Sequence, residues 1–151
     1  MAGIHPQLKN ECVILGRFTL CHLLLSSDAN YPWFILVPDR DSIKEIYQLS
    51  KDDQMQLLSE SSLLSERIMQ VFNGDKLNLA ALGNQVPQLH IHHIVRYESD
   101  PVWPTPVWGK VAAKPYSETE LADLVSKLEL SKLSGFEIAK EFVNPKATFE
   151  P

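Results

Sequence analysis

Apolar residues in the first third of this chain fall in short runs, and later ones fall at helical spacing. Residues 12–17 and 20–25 read as two short strands, and Gly16 inside the first predicts a bulge or bend. Ser26-Ser27-Asp28-Ala29-Asn30 is a polar turn. Trp33-Phe34-Ile35-Leu36-Val37 lies between Pro32 and Pro38, and its length and bulk predict a buried strand. Ser42 is placed to cap a short helix carrying Ile43, Ile46 and Leu49. Ser50 opens a longer one, with Asp52 and Asp53 complementing the helix dipole. Met55, Leu58, Ser62, Ile68 and Phe72 carry that helix to about Val71, and Asn73-Gly74-Asp75 stops it. Residues 76–82 and 88–97 then read as strands paired in a hairpin around a Gly83-Asn84 turn. Residues 100–115 are rich in proline and tryptophan, which predicts an extended, packed-down segment. Ser117-Glu118-Thr119-Glu120 is a capping box before a stripe of Leu121, Leu124 and Leu128. Beyond Leu133 the pattern weakens, leaving a short helix over residues 136–142 or a loosely held tail. Strands around a long helix, followed by a hairpin and a C-terminal helix, give an α+β fold with an antiparallel sheet.

Composition narrows this only a little. A chain of 151 residues suits one domain, taken as residues 1–133 with a tail at 134–151. The net charge of -5 argues against general affinity for nucleic acid or anionic membranes. No apolar run approaches the ~18 residues of a membrane span. The first residues lack a basic region followed by an apolar core, so a cytoplasmic protein is expected. Cys12 and Cys21 are expected to be buried free thiols.

Chemistry concentrates in Gln88-Leu89-His90-Ile91-His92-His93-Ile94, which holds three of the five histidines. Strand alternation puts Gln88, His90 and His92 on one face and Leu89, Ile91 and His93 on the other. Three readings stay open for the first face. Two histidines at i and i+2 are a common zinc pair, but no third ligand is evident, so no metal site is expected. A neutral imidazole with one nitrogen held by a hydrogen bond is a good nucleophile toward phosphorus. Asn78, Asn84 and Gln85 lie just upstream and could donate hydrogen bonds to phosphate oxygens. Finally, strand histidines can be half-buried polar residues bonded to their neighbours, and His93 on the opposite face fits that reading.

The same stretch resembles the signature of the histidine triad superfamily, His-φ-His-φ-His-φ-φ with φ apolar. Gln88 takes the first histidine position, His90 the second and His92 the third. Ile35-Leu36-Val37-Pro38 and Leu49-Ser50 look like further family features. Tyr31-Pro32-Trp33, Leu82-Gly83-Asn84 and the segment from Trp103 to Gly109 look like a bacterial subgroup described as diadenosine-tetraphosphate-hydrolase-like. The resemblance implies the histidine triad fold, a homodimer, and hydrolysis of a nucleotide at its α-phosphate through a nucleotidyl-histidine intermediate. The implied substrates are dinucleoside polyphosphates or nucleoside phosphoramidates, with no resident cofactor beyond a divalent cation accompanying the phosphates. It implies His90 as nucleophile, His92 as an aid to the phosphate or leaving group, and Gln88 where a supporting histidine is usual. Asn84 falls at a phosphate-contacting position, and Asp28 falls where ribose is often held. Trp103 and Trp108 are candidates to line the nucleotide pocket. Trp33 stands where many members have a further histidine. An amide cannot relay a proton in the working pH range, so a weakly active nucleotide-binding or sensor protein is the alternative.

Overall fold

The computed structural model of the chain describes residues 3–145. In chain order its elements are α1 (Pro6–Glu11), β1 (Cys12–Arg17), β2 (Cys21–Ser26), β3 (Trp33–Pro38), α2 (Lys51–Phe72), β4 (Lys76–Ala80), β5 (Ile91–Arg96), α3 (Glu118–Leu128) and β6 (Glu137–Ile138). Alternation along the central strands supplies apolar side chains to both faces, so both must be covered. The six strands form one antiparallel sheet in the order β4-β5-β3-β2-β1-β6.

One face is closed by α2 and α3. Val13, Leu23, Phe34, Leu36, Ile91 and Val95 from the strands meet Leu57, Leu64 and Ile68 of α2 and Leu121, Leu124 and Leu128 of α3. Each such side chain taken from water contributes about 1.5–3 kcal/mol. The Ser50 hydroxyl accepts from the Asp53 N–H and opens α2; Asn73, in the left-handed region, ends it. The buried stripe of α2 is Leu57, Glu60, Ser61, Leu64 and Ile68, so Met55 and Leu58, expected on it, face outward. Two polar residues occupy the stripe because each has a partner on the sheet. The Glu60 carboxylate accepts from the Leu20 and Cys21 N–H groups, at 2.9 and 2.8 Å. Ser61 bonds to His93. Apolar periodicity misses such a stripe.

The opposite face has lighter cover. Leu8 of α1 packs with Cys12, Leu24, Ile35, Val37 and Val86. Further along, Val107 of the proline-rich segment packs with Tyr31 and Ile94. That segment is fastened by Arg96, fully buried, which donates to both oxygens of Asp100 at 2.7 and 3.0 Å.

Three expected elements differ. The residues 42–49 form only a short 3₁₀ turn at Ile46–Gln48. The strand expected over 88–97 begins at Ile91, because residues 81–90 leave the sheet as an irregular loop. The helix expected over 136–142 is instead the edge strand β6, paired with Gly16 and Arg17. Gly16 makes this possible. It sits at the β1 bulge with φ 148°, and a Cβ there would lie 2.2 Å from the Glu137 carbonyl oxygen. Residues 137–139 thus run along the sheet edge, and residues 146–151 lie outside the described ones.

Candidate active site

The register Trp33↔Ile94 and Ile35↔His92 places Trp33 and His92 on the lightly covered face. His90, just before β5, turns its ring to the same side, and the two imidazoles meet edge-on with centroids 5.0 Å apart. Gly83 packs against the His90 ring: a Cβ there would lie 2.8 Å from the Val86 carbonyl oxygen and 3.1 Å from His90 Cε1.

Hydrogen bonds fix the proton on each ring. His90 Nδ1 lies 2.7 Å from the Gln88 carbonyl oxygen, which only accepts, so Nδ1 carries the proton. In the neutral ring Nε2 then keeps its lone pair, and among the described residues it has no hydrogen-bond partner. His92 is the opposite tautomer. Its Nδ1 accepts from the Trp33 indole N–H at 3.0 Å, and its Nε2–H donates to the Leu82 carbonyl at 3.1 Å. Burial depresses the His92 pKa to about 4, outweighing the Leu82 carbonyl, while His90 nearby lowers it further. His92 is therefore neutral near pH 7, and both of its nitrogens are engaged.

His93 points to the other side, under α2. Its Nδ1–H donates to Ile91 O at 3.0 Å, and its Nε2 accepts from the Ser61 hydroxyl at 2.7 Å. Burial again pushes its pKa to about 4.

His90 and His92 line a cavity of about 530 Å³, within the range of small-molecule sites. Trp33 and Trp108 supply aromatic walls, with ring centroids 5.8 Å apart, and Trp108 also meets His92 edge-on at 5.2 Å. Gln7, Leu8 and Glu11 of α1 form another wall, and residues 82–86 form the rim. Among the described residues no lysine or arginine lines this cavity, and Glu11 is the only carboxylate there.

The expected site residues separate into two groups. His90, His92, Asn84, Gln85 and Trp108 line this cavity. Gln88, Asn78, Asp28 and Trp103 do not. The Gln88 side chain turns to the N-terminal segment, accepting from the His5 N–H and donating to the Gly3 carbonyl. Asn78 accepts from Arg96 at 2.9 Å. Asp28 holds its own turn through Asn30 and accepts from the Lys114 N–H at 3.1 Å. Trp103 covers the Arg96 guanidinium. The wall residues Glu11, Cys12, Ser26 and Ile35 were not singled out from the sequence. Cys12, Ser26 and Ile35 lie on β1–β3 and Glu11 ends α1, positions that speak only once the strand register is known. Among the described residues no group of three or more His, Cys, Asp or Glu side chains is gathered to hold a metal ion. Cys12 and Cys21 are free, buried thiols; burial raises both pKa values, that of Cys12 to about 12.

A second groove, of about 770 Å³, lies on the α2 side beside the outer strand β4. Met55, Leu58 and Leu79 line it and are all more than half exposed. No described helix is long and apolar enough to cross a membrane.

The sequence pattern of the HIT domain matches residues 7–99. Three solved structures of histidine triad proteins are similar along most of the chain. One from Marinobacter aquaeolei VT8 is 51% identical, covers 89% of this chain and 99% of its own, and superposes with a TM-score of 0.85. One from Bradyrhizobium japonicum is 41% identical over 87% and 98%, with a TM-score of 0.84. One from Sinorhizobium meliloti 1021 is 38% identical over 85% and 95%, with a TM-score of 0.82. No curated protein sequence matches significantly.

Proposed function

This chain belongs to the HIT domain family, whose members include nucleotide hydrolases, transferases and nucleotide-binding proteins, and from that premise we propose that it hydrolyses a nucleotide at the α-phosphate with His90 as nucleophile. The observation that carries this is the His90 tautomer. Nδ1–H is held by the Gln88 carbonyl, which leaves the Nε2 lone pair available beside an aromatic cavity. Nε2 attacks the α-phosphorus, and an N–P bond forms as the bond to the leaving group breaks, its electron pair departing with that group. Positive charge developing on the ring is stabilised through Nδ1–H by the Gln88 carbonyl. Water then adds at phosphorus, the N–P bond breaks with its pair returning to Nε2, and the spare water proton passes to solvent.

His92 shapes the choice of substrate. Its only ring proton is held on the Leu82 carbonyl, so it packs against His90 and does not protonate the leaving group in this arrangement. Leaving groups that depart without a proton are favoured, which supports dinucleoside polyphosphates over alkyl phosphoramidates. The likeness to the diadenosine-tetraphosphate-hydrolase-like subgroup points the same way. Because the described residues of the cavity lining include no lysine or arginine, the substrate's phosphates bring their own divalent cation. Asn84 and Gln85 on the rim are the neutral donors nearest the phosphates, and Trp33 and Trp108 are the surfaces for a base.

The homodimer belongs to this reading. The outer edge of β4 and the exposed Met55, Leu58 and Leu79 form one apolar surface suited to a second copy. Two buried, reduced thiols suit a cytoplasmic setting.

The test is turnover of diadenosine tetraphosphate and an adenosine phosphoramidate by purified wild type and His90→Ala. A loss of about 10³-fold or more in the variant is expected; equal rates refute nucleophilic His90. The double engagement of His92 also favours a second reading, a nucleotide-binding protein with little turnover. Calorimetric binding of nucleotide without any product would select it.

A further inference from the structure

The residue that departs from the triad pattern has work of its own. Gln88 precedes β5 and is tied in two directions. Its backbone carbonyl holds His90 Nδ1–H at 2.7 Å. Its side chain bonds to the backbone of residues 3–5 at two points: Oε1 accepts from the His5 N–H at 2.8 Å, and Nε2–H donates to the Gly3 carbonyl at 2.8 Å. An amide presents its oxygen and N–H side by side, which matches the C=O of one residue and the N–H two residues on. A neutral imidazole has one donor and one acceptor, but they point apart, and protonation leaves two donors.

What this tether holds is a wall of the cavity. His5 continues into α1, accepting on its own Nδ1 from the Gln7 N–H at 3.1 Å. Gln7, Leu8 and Glu11 of α1 line the space before His90. With six residues, α1 is too short to persist alone and takes its position from tertiary contacts. Leu8 gives it an apolar anchor, and the Gln7 side chain donates to Gln85 on the rim at 3.3 Å. Gln88 supplies the polar anchor at the start of the helix, 83 positions away in sequence from its partner His5.

The geometry points to Gln88 as a positioning residue that clamps the N-terminal wall over the nucleotide cavity, so that one residue both sets the His90 tautomer and closes the site. The part concerning substrate rests on the proposed hydrolase reading; the clamp itself does not. Gln88 touches neither the cavity nor the reacting atoms with its side chain, so its removal acts on substrate grip and leaves the nucleophile in place.

Two readouts test this in the full chain. The first is hydrogen exchange by mass spectrometry in peptides covering residues 3–11, for wild type, Gln88→Ala and Gln88→Glu. Loss of two hydrogen bonds predicts roughly tenfold faster exchange in Gln88→Ala, with residues 91–96 unchanged. Gln88→Glu, which keeps the acceptor for His5 and loses the donor to Gly3, falls between. Unchanged exchange in residues 3–11 overturns the clamp; faster exchange throughout the chain overturns it as a local device. The second readout is diadenosine tetraphosphate kinetics. Gln88→Ala raises KM several-fold, by a larger factor than it lowers kcat, and Gln88→Glu recovers part of the loss in KM. A fall in kcat at constant KM overturns the positioning role. A wild type that turns over no nucleotide refutes the hydrolase reading alone, and the exchange comparison still decides the clamp.

Discussion

On the helix side of the sheet, His93 sits fully buried between Ile91 O and the Ser61 hydroxyl, inside a continuous apolar core. On the cavity side, His90 and His92 sit under a six-residue helix and a proline-rich segment, facing open volume. One strand carries adjacent imidazoles into both settings. All three rings have a nitrogen fixed by a backbone carbonyl. They differ at the other nitrogen: Ser61 takes it on His93, Trp33 takes it on His92, and none of the described residues takes it on His90. Of the three, His90 is the ring left one bond short, in a place where a ligand fits, which is what the proposed nucleophile requires.

The contrast can be broken most strongly from the cavity side. Asp100→Ala leaves the buried Arg96 guanidinium without its bidentate partner, and about 3–5 kcal/mol of stability is expected to go, measured by urea unfolding. The proline-rich segment that brings Trp108 to the cavity should loosen with it. Stability within 1 kcal/mol of wild type would show that the ion pair does not fasten this face. Next in size, Ser61→Ala strands His93 Nε2 in the core. A loss of about 1–3 kcal/mol is expected, with kcat on diadenosine tetraphosphate unchanged; a falling kcat would mean the two faces are not separate.

Acid sharpens the same comparison. His92 and His93 titrate near 4 in the fold against an ordinary 6.5. The unfolded chain therefore binds more protons at these two sites between these values, so their share of the stability is constant above about pH 6.5, falls as pH drops toward about 4, and levels below. The slope is at most about 1.4 kcal/mol per pH unit for each histidine. His93→Gln should remove one histidine's share; an unaltered slope would contradict its burial as the cause. The smallest effect is expected from Trp33→Phe. It removes the N–H that favours a bare Nδ1 on His92, so the His92 pKa, followed by NMR titration, should rise from about 4 while stability changes by less than about 1 kcal/mol. An unmoved His92 titration would show that the indole bond does not govern it.

Much of the fold was legible because its signals are local. Ser50, Asn73 and Ser117 mark helix ends by their own chemistry, and Gly16 marks the bulge. The chain's match to the HIT domain rests on a stretch that includes the histidine strand. What was not legible depends on pairing across the chain. The Trp33–His92 bond follows from the register of β3 against β5, and Arg96–Asp100 is an i,i+4 pair with no helix between its ends. The α1 helix is only six residues, led by His5 and Pro6. The α2 stripe was misplaced because Glu60 and Ser61 are buried against polar partners. Gln88 looked like a member of a side-chain row because strand alternation was extended past Ile91, where the strand begins.

Nucleophilic His90 is tested most directly by trapping its intermediate. Acid-free denaturing quench during turnover of diadenosine tetraphosphate, followed by peptide mass spectrometry, should find an adenylyl group on the peptide containing His90, at Nε2. It should appear in wild type and be absent from His90→Ala. Steady hydrolysis that depends on the cavity but leaves no adenylyl group on His90 at any quench time, or places it on another residue, would contradict the mechanism.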